Sequence, residues 1–160
     1  MKPFLHFMLK LLFCFALCGG LYLLLETSWD GSTVLEMFYL AGSMSIPALL
    51  LNDIFTYETD FLLQCGICTL LATIGEGITG HICNMDYSIW DYRHLPLSFW
   101  DGQINLFFCI IWFILFFIFI PILDYIEWQL FEYQKDTVPY YKICQKKIFD
   151  WNNIIHFFQI

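Results

Sequence analysis

The sequence predicts an all-α, polytopic membrane protein: four transmembrane helices followed by a C-terminal amphipathic helix. Three observations carry this. The 160 residues are 59% hydrophobic and only 14% charged, whereas a soluble domain is about half apolar and a quarter charged. Mean hydropathy is +0.65. The apolar residues fall in runs, such as INLFFCIIWFILFFIFIPIL, which holds no charge; crossing the hydrocarbon takes roughly 20 residues of helix. The length suits a single transmembrane domain, residues 1–128, and a tail, 129–160.

The first span is expected at residues 3–25. Its start resembles a signal peptide, with Lys2 and Lys10 before LLFCFALC. Leu17 precedes Cys18 where a lipoprotein site requires a small residue, and the apolar run continues, so the segment reads as an uncleaved helix. Lys10 is expected to snorkel to the interface, and His6 to lie there. A short turn, ETSWDGS, precedes the second span, 33–51, with the small residues Ala41, Gly42, Ser43 and Ser45 for close helix packing and Pro47 for a kink. The third span, 61–83, carries Glu76 among Gly66, Gly75, Gly77 and Gly80. Glycines on several sides suit a central helix. The connection 84–103 is rich in aromatics and acids, and span four follows at 104–123.

From Tyr140 to Ile160 apolar residues recur three and four apart (Tyr141, Cys144, Ile148, Trp151, Ile155, Phe158). That spacing predicts an amphipathic helix lying on the membrane, with a cytosolic tail helix packed on the bundle as the alternative. Six basic residues, Lys2, Lys10, Lys135, Lys142, Lys146 and Lys147, sit toward the chain's ends and Arg93 stands alone in a loop. The positive-inside rule then places both termini in the cytoplasm of a cell that holds the protein in its plasma membrane.

Net charge of −8 excludes nucleic acid as a partner, since phosphate backbones require a basic face. Gly75-Glu76-Gly77-Ile78-Thr79-Gly80 spells G-x-G-x-x-G, but no strand precedes it, so helix packing explains the glycines and no dinucleotide cofactor is expected. No P-loop sequence occurs, so the chain has no ATPase of its own. Cys65-Gly66-Ile67-Cys68 spells C-x-x-C, which a membrane thiol oxidoreductase would use if the thiols were accessible. His81, Asp86, Asp91 and His94 form no complete ligand set, and no metal is expected. No nucleophile, base and acid arrangement stands out, so no catalytic residue is assigned and an enzyme is not expected.

Glu76 is the sharpest feature. A carboxylate near mid-membrane costs at least about 2.5 kcal/mol and is rarely there without a partner or a wet cavity. It serves either as a proton or cation site or as a hydrogen-bonding lock between helices. Gln103, at the start of span four, is placed to bond across to the Glu76 helix.

Glu76, then Trp90-Asp91-Tyr92, Pro96, Gly102-Gln103-Ile104, and Trp112 ten residues after Gly102 together form a pattern. It resembles the ABC-transporter type IV, permease-like family of small bacterial integral membrane proteins. The resemblance covers roughly Leu70 to Trp112. Glu26 is similar in place to that family's first-helix glutamate, whereas Ile89 and Asn105 depart from the pattern. The resemblance implies a transport-system subunit that binds or conducts a small solute or ion, using Glu76, Gln103, Glu26, Trp90, Asp91 and Tyr92. It also implies oligomers and a separate ATPase or other membrane subunits as partners beside the lipid bilayer. A non-transporting scaffold is the alternative, with the thiol oxidoreductase behind it.

Overall fold

The computed structural model describes residues 3–131 and 137–158. It is mainly helical, and three of its helices are long and apolar enough to cross a membrane. These are α1 (Pro3–Asp30), α3 (Phe61–Cys83) and α4 (Leu106–Leu130), while α2 (Leu35–Ile54) offers the shorter apolar stretch Leu35–Leu51. Their outward faces expose large side chains such as Leu12, Leu70 and Ile110, a surface that water penalises and lipid does not.

Residues Glu26 to Asp30 extend α1 where a turn is expected. The helix stops only at Gly31, whose φ of 77° is the left-handed conformation that ends helices. The small residues of α1 and α2 let the two backbones close up. A Cβ at Gly19 would lie 2.7 Å from the Phe38 carbonyl oxygen, and one at Gly42 would lie 2.9 Å from the Phe15 carbonyl oxygen. Each helix thus seats the other's phenylalanine, and the two rings meet edge to face at 5.5 Å. The core between α2, α3 and α4 is filled by Leu49, Phe61, Ala72, Phe116 and Ile120.

Asp60 starts α3 by accepting from the Leu62 amide at 3.0 Å. Asn105 starts α4 in the same way through the Phe107 amide, which places the helix start two residues beyond the expected boundary. Before it, β1 (Ser98–Phe99) pairs antiparallel with β2 (Ile104–Asn105). The long connection is therefore folded against the helix ends. Its length in the sequence suggests a structured or partly re-entrant loop, and the strand pair supplies the structure.

The largest departure from expectation lies at the C-terminus. The amphipathic helix expected from Tyr140 is replaced by an antiparallel hairpin, β3 (Tyr140–Ile143) and β4 (Lys146–Asp150), and helix resumes only in α5 (Trp151–Phe158). Tyr140, Tyr141, Ile143, Ile148 and Phe149 are strand formers. The hairpin turns at Cys144 and Gln145, both with positive φ (49° and 64°), as two-residue turns require. It packs on the bundle. Tyr141 is buried against Phe61 at 4.7 Å, the Cys144 amide donates to Asp60, Lys142 and the Tyr140 hydroxyl both bond Glu58, and the Trp151 indole donates to the Pro121 carbonyl at 3.0 Å.

Lys10 does not snorkel. It is buried and donates to Glu127 of α4 at 2.5 Å. The ammonium finds its carboxylate within the bundle instead of at the interface. His6 donates to the Phe131 carbonyl at 2.7 Å. Lys2 and Lys135, counted above toward the two ends, lie outside the described residues.

Candidate functional site

Helix α3 carries Glu76 into the bundle, where its side chain is 3% exposed. Each carboxylate oxygen receives one donor. The Tyr92 hydroxyl reaches Oε1 at 3.2 Å from the loop, and the Trp112 indole N–H reaches Oε2 at 3.1 Å from α4. Both donors are held by stacked rings. Tyr92 lies on Phe108 at 4.5 Å, and Trp112 packs between Tyr22 of α1 at 5.8 Å and Phe116 at 6.0 Å. Burial, with Glu76 beside it, pushes the Tyr92 phenol above its ordinary range, so it remains a donor at neutral pH.

The glycines around Glu76 are seats for neighbours. Side chains there would run into Met44 of α2 at Gly75, the Trp100 ring at Gly77 and the Gln103 side chain at Gly80. The apparent nucleotide motif is thus a close-packing surface.

One turn beyond Gly80, Asn84 ends α3 and ties the loop together. Its Nδ2 donates to the Gln103 Oε1 at 3.0 Å and to the Trp90 carbonyl at 2.7 Å, and its Oδ1 accepts from the Ile89 amide at 2.8 Å. Gln103 returns a bond from Nε2 to the Asn84 carbonyl at 3.0 Å, and the Trp90 indole donates to the Gln103 carbonyl at 3.1 Å. Asn84 and Gln103 are both buried, so the network is closed and well satisfied.

Of the residues expected at the site, Glu76 and Tyr92 therefore meet. Gln103 does cross to α3, but its partner is Asn84 at the helix end. Trp90 belongs to that second network. Asp91 faces away; Arg93 grips it through Nε at 2.9 Å and Nη2 at 2.7 Å, which holds the carboxyl well below the ordinary carboxylate range. Glu26, at the end of α1, accepts from the Thr33 hydroxyl. Trp112, Tyr22 and Asn84 were not among the expected site residues. Trp112 was legible as the one hydrogen-bond donor with a large ring inside an uncharged span, whereas nothing local marks Tyr22 or Asn84.

A second buried polar cluster occupies the other end of the bundle. Beside the Lys10–Glu127 pair, Asp124 of α4 accepts from the Tyr141 hydroxyl of the hairpin. Cys65 and Cys68 are buried in the core. Among the described residues, no three His, Cys, Asp or Glu side chains are grouped to hold a metal ion. Between α1, α2 and α4 a half-open cleft of about 50 Å³ is walled by Tyr22, Trp112, Phe116 and Met44 among others, and no charged side chain lines it.

No family model, curated protein or solved structure matches this chain.

Proposed function

We propose that the chain is an integral membrane, permease-like subunit in which all four long helices cross the plasma membrane and both termini are cytoplasmic. In this reading it binds or conducts a small solute or ion through the Glu76 layer, and any ATP hydrolysis comes from a separate subunit. The observation that carries the reading is Glu76 itself: a buried carboxylate in a membrane-length helix, with one donor from the connecting loop and one from another helix. A carboxylate shared between a loop and a span changes its partners when either moves, which is what passing a proton or cation requires. The sequence pattern from Glu76 to Trp112 and its similarity to the permease-like family point the same way, and a four-helix unit would work as an oligomer.

The test is proton flux into liposomes loaded with a pH-sensitive dye, driven by a potassium diffusion potential. Wild type is expected to exceed protein-free liposomes several-fold, and Glu76→Gln to fall to their level. Wild-type flux equal to that of protein-free liposomes would overturn the reading.

One observation favours the scaffold reading instead. Both oxygens of Glu76 are already satisfied within the fold, so the carboxylate is also suited to locking helices. That reading expects no flux, but loss of folded protein in Glu76→Leu. Redox work finds less support, because Cys65 and Cys68 are buried and thiol exchange needs an accessible thiolate.

A further inference from the structure

We infer that His81 is a pH-sensing positioning residue for the Glu76 layer: as an imidazolium it latches the loop segment 100–103 onto the last turn of α3, and through that segment it sets Tyr92 against Glu76. The inference names a regulation of the Glu76 layer and rests on the permease reading above.

The first feature is what the ring faces. His81 stands on the same helix as Glu76, with Nδ1 2.7 Å from the Gly77 carbonyl oxygen and Nε2 3.4 Å from Oδ2 of Asp101. A carbonyl and an ionised carboxylate only accept. A neutral imidazole has one N–H and one lone pair, so either tautomer turns a lone pair toward an oxygen. The doubly protonated ring donates to both. The ring also lies 5.2 Å from that of Trp100, whose indole fills the seat left by Gly77. A cation that close to an indole is attracted to it.

The second feature is the route to Glu76. After Asp101 comes Gly102, whose carbonyl accepts from the Tyr92 amide at 3.2 Å, and the Ser98 hydroxyl donates to the Tyr92 carbonyl at 2.6 Å. The backbone of Tyr92 is thus held on both sides by the stretch 98–102, while its hydroxyl donates to Glu76.

The third feature is that the segment needs holding. Trp100, Asp101 and Gly102 have φ of 51°, 55° and 75°, and L residues keep such a conformation only where their surroundings impose it. The Tyr87 hydroxyl donates to the Asp101 carbonyl at 2.8 Å, so loss of the His81 contact loosens the segment without detaching it. The other described carboxylates at this end have partners of their own. Arg93 grips Asp91, with His94 3.8 Å away, Asp86 bonds Ser88, Glu26 bonds Thr33 and Glu76 is taken by Tyr92 and Trp112. Both members of the latch meet water, His81 at 38% and Asp101 at 80% exposure. Protons therefore reach them, and the effect is the several-fold change of a surface pair.

The experiment is amide exchange of the full chain in lipid nanodiscs from about pH 5 to 9, either side of the ordinary imidazole value of about 6.5. The labelled ring nitrogens of His81 report its own protonation. After correction for intrinsic base catalysis, protection of the Tyr92 amide is expected to fall several-fold as His81 loses its proton. The Ile89 amide, bonded to Asn84 in the second network, should stay level, which separates a loosened latch from an unfolding loop. His81→Gln and Asp101→Asn should each flatten the Tyr92 step, and His94→Gln should leave it. Asp101→Asn keeps the imidazole beside Trp100, so it tests the latch even where His81→Gln folds poorly. Three results would overturn the inference: Tyr92 protection independent of pH in wild type, a step that survives in both variants, or a His81 ring that stays neutral across the range. Glu76-dependent proton flux with no Tyr92 step would sink this inference and leave the permease reading intact. A step without flux would do the reverse.

Discussion

At one end of the bundle a buried carboxylate, Glu76, is met by two neutral donors, Tyr92 and Trp112. At the other end a buried carboxylate, Glu127, is met by an ammonium, Lys10, while its neighbour Asp124 takes a phenol from the hairpin. The difference matters for what each end can do. An ion pair in a low-dielectric interior is costly to separate, because either charge left alone is uncompensated. Neutral donors hold a carboxylate more weakly and can turn to another acceptor. The hairpin end is held by an ion pair, and the loop end by two neutral donors. The aromatic cleft opens beside the loop end, where Trp112 belongs to both the cleft wall and the Glu76 contact.

The sharpest way to break this contrast is Lys10→Met. It takes the ammonium away from the buried Glu127 carboxylate and should cost about 3–5 kcal/mol, read as a fall in unfolding midpoint in detergent. Lys10→Met combined with Glu127→Leu should recover most of that loss. A single variant as stable as wild type would show that the pair does not hold that end.

Next in size is Trp112→Phe, which keeps a ring in the core and removes the donor to Glu76. A loss of about 1–3 kcal/mol is expected. Tyr92→Phe should cost less, because its bond is the longer of the two and comes from a loop. Chemical denaturation of both variants would rank them, and the reverse order would mean that the loop, not α4, holds Glu76.

The smallest effect is at the exposed clamp on the hairpin. Donation from Lys142, and then from Tyr140, holds the Glu58 carboxyl below its ordinary value of 4.5. A carboxylate lowered in the folded state contributes stability above its unfolded pKa and loses it as pH falls through the lower folded value. Hairpin docking should therefore be constant from neutral pH down to about 5 and weaken in more acid solution. Hydrogen exchange of the Cys144 amide measures it. Lys142→Met should bring the folded value back toward 4.5 and so shrink the acid-side weakening.

The helices were legible because bilayer thickness sets a length and the apolar runs display it. Their ends were less so. ETSWD reads as a turn, yet α1 runs to Asp30 because Gly31 is the first residue suited to stopping it. The start of the tail, residues 140–150, was misread for a physical reason. Tyr141, Cys144, Ile148 and Trp151 fit a helical period, and the turn that defeats it uses Cys144 and Gln145, which are not the glycine or asparagine that announce a hairpin. Glu76 was legible as a lone carboxylate in an apolar run, and Tyr92 within its aromatic triplet. The Lys10–Glu127 pair was not, since its members lie 117 residues apart and each reads singly as a helix-end charge. Gln103 was rightly placed against α3, but the sequence carries no sign that Asn84 would take it instead of Glu76.

Glu76 is held between the loop and α4, with Trp112 as its partner on the helix. The most direct measurement is the indole N–H resonance of Trp112 in nitrogen-labelled protein in nanodiscs, assigned by its loss in Trp112→Phe. A hydrogen-bonded, slowly exchanging proton is expected, moving upfield and exchanging faster in Glu76→Leu, while Lys10→Met leaves it in place. An indole resonance indifferent to Glu76→Leu would mean that Trp112 does not bond Glu76.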